Sequence, residues 1–347
     1  MHKPVTADSD VIFDTVNKAA PERDLYFIAD VPHLIKTIRN CFGSSSEKRY
    51  YNRQTGKNML RRRLEKNGEK ILWSTIVELY KHQSGKTLRL SHQLNAQNIF
   101  INGYSKMKVK YAAQVLSRTV AHHLEEWKGE SKRETVDFIR RVNDFFDMLN
   151  GAHFEQAGRT LNLNLQAYYS PNDERFQKLE DFVAYLDDWK KEAEALDKNN
   201  TSKNIFLQDI GHSFDFEEDE DEPEEEDPAS VRQLSRQTLE GIKMTVCAFT
   251  KAVKFLLGEG TKFINARIFC QDPLEQFFSK QRARGGGSTT PNFSQFINES
   301  RGIGQLGEMG AKRNFSGNTE ELEKSMEISS EPLPKRKSLG RAVMTRK

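Results

Sequence analysis

Cysteine is scarce in this chain of 347 residues: Cys41, Cys247 and Cys270 are the three present, and they lie far apart. An odd, scattered set gives neither a disulfide framework nor the paired spacing of a structural zinc site, and it points to a reducing compartment. Long apolar runs are missing as well. No stretch reaches 18 consecutive apolar residues, and the opening "MHKPVTADSDVIFD" has neither the basic start nor the apolar centre of a secretory leader. The expectation is a soluble, unsecreted protein with no membrane partner. A phosphate-binding loop is excluded too, because "SGKT" at Ser84 to Thr87 would need glycine at position 80, where Tyr80 stands.

Apolar residues make up 36% of the chain and aromatics 10%, enough to bury a core across two or three domains. The net charge of +3 conceals a segregation. The run "DFEEDEDEPEEED", Asp215 to Asp227, holds 11 acids and no base, and removing 11 negative charges from +3 leaves +14 on the remainder. Such a surplus suits polyanionic partners, though sign alone does not separate nucleic acid from a charged surface with no partner.

Residues 25 to 29, "LYFIA", read as a strand, Asp30-Val31-Pro32 as a turn, and "HLIKTIRNCF" as a helix with Leu34, Ile35, Ile38 and Phe42 on one face. After a basic stretch, "KRYYNRQTGKNMLRRRLEKNGEK", apolar positions recur at three and four. One stripe runs Val109, Ala112, Ala113, Leu116, Val120, Leu124, Trp127; another Phe138, Ile139, Val142, Phe145, Phe146, Leu149; a third Leu179, Phe182, Val183, Leu186, Trp189. These predict amphipathic helices packed on one another without intervening strands. The acidic run is expected to be a disordered loop, spanning about 215–230. Beyond it, Leu239 to Leu256 carry a long helical stripe, "TKFINARIFC" reads as a strand, and "DPLEQFF" starts another helix. From about Gly285 onward the composition predicts a mostly disordered tail ending in "PLPKRKSLGRAVMTRK". The layout is an α/β unit interrupted by a large helical block, and it allows Asp30 and Glu275 to meet at one site.

Each candidate residue has a plain reading beside a chemical one. Asp272, Pro273 and Glu275 fit N-cap, N1 and N3 of a helix, while Asp30 fits a turn before Pro32. Two carboxylates brought together also suit Mg²⁺ or Mn²⁺, although a metal pair usually needs a third, bridging carboxylate. In "NDFFDMLN" the residues Asn143, Asp147 and Asn150 fall at i, i+4 and i+7. That polar face is either a solvated one or a place where a carboxylate accepts from the N1 and N2 hydrogens of guanine beside a stacking ring. The histidines His33, His122 and His123 have no ligand partners at metal spacing and read as structural or solvent-facing.

Five co-linear phrases carry a resemblance: "ADVPHLIKTIRNCF", "YSKMKVKYAAQVLSRTVA", "FIRRVNDFFDMLN", "RQTLEGIKMTV" and "RIFCQDPLEQFFSKQRARGG". Over roughly residues 25 to 300 the chain resembles the P element transposase family, which includes the THAP-domain transposase-like proteins. The resemblance implies a ribonuclease-H-like core with three acidic metal ligands, interrupted between the second and third by a helical GTP-binding insertion. It implies that Asp30 is the second ligand and Glu275 the third, both catalytic and both holding Mg²⁺. It places the nucleotide at Lys108 and Val109, at Phe146, Asp147 and Asn150, and at Asp272, with Lys108 on phosphate and Asp147 and Asn150 on the base or sugar edge. Gln93 stands where relatives more often carry lysine, which implies weaker phosphate affinity.

The fold expected is therefore α/β, a partial ribonuclease-H-like core around a large all-α GTP-binding insertion, and mostly helical overall. The expected divisions are 1–45 and 258–300 for the ribonuclease-H-like segments, 46–257 for the insertion, and 301–347 for a disordered basic tail. By resemblance, the chemistry is Mg²⁺-dependent DNA cleavage and strand transfer in the nucleus, with GTP as a positioning cofactor that is not hydrolysed. Transposon ends, target DNA and a second copy of the chain are the implied partners. The family's first catalytic Asp lies on a strand upstream of "ADVPHL", and only 29 residues precede Asp30 here. The expectation is an incomplete catalytic site, without the zinc finger or the leucine-rich dimerisation helix. The competing expectations are a GTP- and DNA-binding module without catalysis, and an inert helical relic.

Overall fold

The computed structural model describes residues 11–46, 50–52, 57–59, 62–86, 90–151, 161–201, 232–285, 290 and 292–310. The acidic run and the end of the basic tail lie outside them. The chain divides into two units, Met1–Gln271 and Asp272–Lys347.

In the first unit, β1 (Asp14–Val16) pairs antiparallel with β2 (Asp24–Tyr26). The strand expected over 25 to 29 stops at Tyr26, for a reason in the long helix later in the chain, α9 (Arg236–Gly258). There the Thr245 hydroxyl accepts from the Ala29 N–H at 3.0 Å and faces the Ala29 carbonyl at 3.3 Å, taking the backbone groups a further strand would have used. Lys251, two turns on, draws the ribbon onto the same helix through ion pairs with Asp14 and Asp24.

Helix α1 (Val31–Gly43) follows directly. Pro32 sits in its first turn, where the backbone N–H has no helical partner to lose, and Asp30 is the N-cap. Leu34, Ile35, Ile38 and Phe42 form the buried face, as their spacing predicts. The basic stretch, to which apolar periodicity assigns nothing, holds two hairpins: β3 (Tyr50–Asn52) with β4 (Lys57–Met59), and β5 (Glu65–Lys66) with β6 (Glu69–Lys70). Asn67 and Gly68 join the second at φ of 49° and 74°, the left-handed pair that an Asn-Gly hairpin turn uses. Among the described residues, every strand belongs to a two-stranded ribbon.

Six helices follow: α2 (Trp73–Ser84), α3 (Ala96–Ile99), α4 (Gly103–Lys106), α5 (Val109–Val115), α6 (Arg118–Lys128) and α7 (Arg133–Asn150). The single stripe read from Val109 to Trp127 is broken at Leu116, because the Ser117 hydroxyl accepts from the Val120 N–H and starts a new helix. Both pieces still bury one continuous apolar face, Ala112, Val115, Leu116, Val120 and Leu124. Helices α8 (Glu174–Thr201) and α9 complete the first unit, each where its apolar repeat predicts. Edge-to-face aromatic pairs run through the core from Trp73 to Phe42, then Phe138 and Trp189, with centroids 5.2, 5.6 and 5.7 Å apart. The strand expected in "TKFINARIFC" is reduced to one bridge, Ile264 to Tyr168, because residues Ala266–Phe269 close into a 3-10 turn whose Arg267 N–H bonds Gly151.

The second unit contains α10 (Asp272–Arg284) and α11 (Phe293–Gly310), packed on each other. Helix α11 puts regular structure at the start of the segment expected to be mostly disordered after Gly285, while residues 311–347 of that tail lie outside the described residues. Asn292 and Gln295 cap the start of α11 reciprocally, at 2.9 and 3.0 Å, and buried Gln281 of α10 donates to the Phe296 carbonyl and the Ser300 hydroxyl.

Candidate functional site

Helix α7 turns its apolar stripe inward, so Asn143, Asp147 and Asn150 emerge along the opposite edge at helical spacing. The Asn143 amide donates to Asp147 Oδ2 at 2.9 Å, and the Asn162 amide reaches the same oxygen at 2.8 Å from the loop beyond the helix. Asn143 is itself oriented from its other end, where Oδ1 accepts from the Arg118 N–H at 3.1 Å. The Arg118 guanidinium then takes both oxygens of neighbouring Asp144, at 2.7 and 3.0 Å.

Asn162 is held in place by a clamp the sequence did not reveal. Its own side chain accepts from the Asn164 N–H, beginning the 3-10 turn Leu163–Leu165. Buried Arg175 gathers the carbonyls that follow, donating to Gln166 and to Ala167 (2.9 Å), and it lies 3.7 Å over the Tyr168 ring. At the end of α7 Gly151 makes a close backbone approach: a Cβ there would stand 2.6 Å from the Leu165 carbonyl oxygen. Asn162 had one local signal, the Asn-x-Asn turn. Its bond to Asp147, 15 residues away, had none.

Burial pushes the Asp147 carboxyl above its ordinary value, the Asn162 and Asn143 amides pull it down, Asp144 raises it and Arg118 lowers it. A carboxylate offers about four acceptor positions, and the two amides occupy two of them. The arrangement is an oriented, half-buried acceptor with capacity for further donors. Phe146, beside it, is half-buried against the core, and Asn150 closes the same helix.

Lys108 and Val109 lie at the start of α5, which packs on α1 as α7 does. Lys108 is the exposed N-cap, its ammonium 4.5 Å over the Tyr104 ring, and the Tyr104 hydroxyl keeps its pKa high. Val109 rests against the core. Gln93 is exposed, and its carbonyl accepts from the Asn98 amide at 2.8 Å.

Asp30 stands at the start of a helix rather than at the end of a strand. It is 7% exposed; Oδ2 accepts from the His33 N–H at 3.1 Å and lies 2.5 Å from His33 Nδ1, while Oδ1 accepts from the Gln271 N–H at 2.9 Å. Glu275 is exposed on α10 and Asp272 is that helix's first residue, both in the second unit. Among the described residues no group of three His, Cys, Asp or Glu is arranged to hold a metal. Each oxygen of Asp30 accepts from a protein donor. His123 bonds the Ser91 hydroxyl at 2.6 Å and exposed His122 pairs with Glu126. No helix among the described residues is long and apolar enough to cross a membrane.

These features define a mostly helical protein with a polar, carboxylate-centred edge on one helix of an inserted block. Comparison with known proteins specifies the class. Residues 32–161 match the family described as TNP-like, GTP-binding insertion domain, and residues 268–298 match TNP-like, RNase H C-terminal domain. A curated relative, the Transposable element P transposase of Drosophila melanogaster, is 29% identical over 131 residues, which is 36% of this chain and 15% of the relative. The solved Drosophila P element transposase strand transfer complex shares the fold with a TM-score of 0.57 at 21% identity, covering 84% of this chain and 54% of that one. The chain is thus similar to P element transposase in two segments of its sequence and in fold, as the five phrases indicated. It spans about half the length of the structural relative and less of the curated one.

Proposed function

We propose that this chain is a transposase-like protein whose helical insertion binds GTP, acting in DNA transposition or in a role descended from it. The observation that carries this reading is Asp147, aligned by Asn143 and Asn162 on α7, inside the segment that matches the GTP-binding insertion domain. Guanine presents N1–H and N2–H side by side to a carboxylate, and adenine has no matching donor pair. Phe146 supplies apolar surface beside the base, Asn150 bonds the sugar edge, and Lys108 takes phosphate. DNA is the second partner, supported by the +14 charge outside the acidic run and by the strand transfer complex that the structural relative forms. A role on DNA fits a nuclear location, with Pro332 to Lys337 as an import signal.

A second reading, a GTP- and DNA-binding module without catalysis, is favoured by the hydrogen bonds that occupy both oxygens of Asp30. Displacement of a fluorescent guanine nucleotide separates the outcomes. GTP displacing it at much lower concentration than ATP supports a guanine site, equal displacement removes it, and retention of labelled duplex DNA tests the second partner.

A further inference from the structure

Arg39 has no exposed surface, yet no acid pairs with it among the described residues. It projects from α1 to the end of α4, where Nη2 donates to the carbonyls of Ser105 at 2.8 Å and Lys106 at 2.9 Å. Nε and Nη1 are buried without partners. A cation in this position is costly unless something repays its desolvation, and two carbonyl dipoles do so only in part. Burial brings its pKa down to about 10, so it stays protonated at neutral pH.

What Arg39 holds is the turn that leads into α5. Asn102 and Ser105 cap the start of α4 reciprocally at 2.8 Å, and the carbonyls left over at the other end of this four-residue helix go to Arg39. The Lys108 N–H returns to the Ser105 carbonyl at 3.2 Å, so the backbone that bears Lys108 hangs from the same oxygen. Exposed Lys108 and Lys110 then flank the turn, and behind them lies a buried positive charge with no counter-ion.

We propose that Arg39 is a positioning residue for a polyphosphate subsite at the turn from Ser105 to Val109. Its guanidinium sets the backbone from which Lys108 projects, and its unneutralised charge draws the phosphates of a nucleotide to that turn. The inference rests on the GTP reading and adds a residue that never touches the ligand.

The test compares Arg39→Met and Arg39→Lys with the unmodified chain, using calorimetry with GTP, guanosine and inorganic tripolyphosphate. In the Met variant, GTP and tripolyphosphate are expected to weaken about ten-fold or more while guanosine changes less than about two-fold, with the Lys variant between. GTP and guanosine weakening by the same factor would reduce Arg39 to a structural cap, and unchanged tripolyphosphate binding would remove the subsite. If the Met variant does not fold, the Lys variant decides: it retains the charge but not the paired donors, so a several-fold loss confined to phosphate-bearing ligands is expected, and an equal loss for guanosine overturns the proposal. Tripolyphosphate binding without guanosine binding in the unmodified chain would overturn the guanine reading, and the Arg39 comparison would then be decided on phosphate alone.

Discussion

Asn162 donates an amide hydrogen bond of 2.8 Å to Asp147, joining a loop to the polar edge of α7 across 15 residues of chain. The carboxylate at the centre of the candidate site is thus oriented by protein donors and kept from full hydration. Its properties follow from that pairing.

The first consequence concerns pH. Burial raises the Asp147 carboxyl in the folded state above its unfolded value, so the folded protein binds this proton more readily. Stability contributed by the group is present below the unfolded pKa and is lost as pH rises through the folded one. Replacing Asp147 with Asn removes the titration. The variant should gain on its parent as pH rises from the ordinary carboxylate range through the raised value, in denaturant unfolding measured at a series of pH values. A difference that is constant across that range would mean that burial does not govern this carboxyl.

Gly151 is required by space and not by backbone angle, since its φ is −61°. Gly151→Ala sets a methyl 2.6 Å from the Leu165 carbonyl oxygen and 3.0 Å from its carbon, and backbone atoms cannot turn aside as a side chain does. The expected loss is about 1–3 kcal/mol of unfolding free energy, with guanine binding weakened too because Asn162 moves with the loop. Thermal melting at parental stability would contradict the close approach.

Much of this framework was legible in the sequence. The stripes on α7, α8 and α9 were readable because a buried helix face repeats at 3.6 residues whatever it packs against. The polar edge of α7 was readable by the same arithmetic, so Asp147 and Asn150 could be named. Other features depended on partners far along the chain. Thr245 ends the first ribbon from 216 residues away, and Arg39, on a helix whose apolar face was clear, gave no sign that it is buried. Some local signals were present and carried more than periodicity suggested: Asn67-Gly68 makes a hairpin, Ser117 splits a helix, and Asn292 with Gln295 starts one.

The acidic run, Asp215 to Asp227, lies outside the described residues, and its effect is expected from charge alone. Eleven carboxylates tethered to a chain whose remainder carries a net +14 compete with phosphate for the same cations. Deleting the run should tighten non-specific DNA binding at low salt, and the gain should shrink as salt rises, since counterion release weakens every such contact. Filter binding with no difference at low salt would show that the run does not shield the basic surface.

The pH dependence of nucleotide binding should mirror that of stability with the opposite sign. Asp147 accepts from guanine only when ionised, so GTP affinity should rise as pH climbs through its raised pKa, and bound GTP should in turn stabilise the ionised form. Titrations across the acidic range check this. Affinity that falls over the same interval would exclude the carboxylate as the acceptor.

The most direct measurement is calorimetric titration of GTP and ATP into the unmodified chain and into Asp147→Ala. GTP should bind more tightly than ATP to the unmodified chain, and the substitution should cost GTP about 1.5–3 kcal/mol, the range for hydrogen bonds to a charged group, while leaving ATP nearly unchanged. Equal affinity for the two nucleotides in the unmodified chain, or an equal loss for both in the variant, would contradict a guanine site built on Asp147.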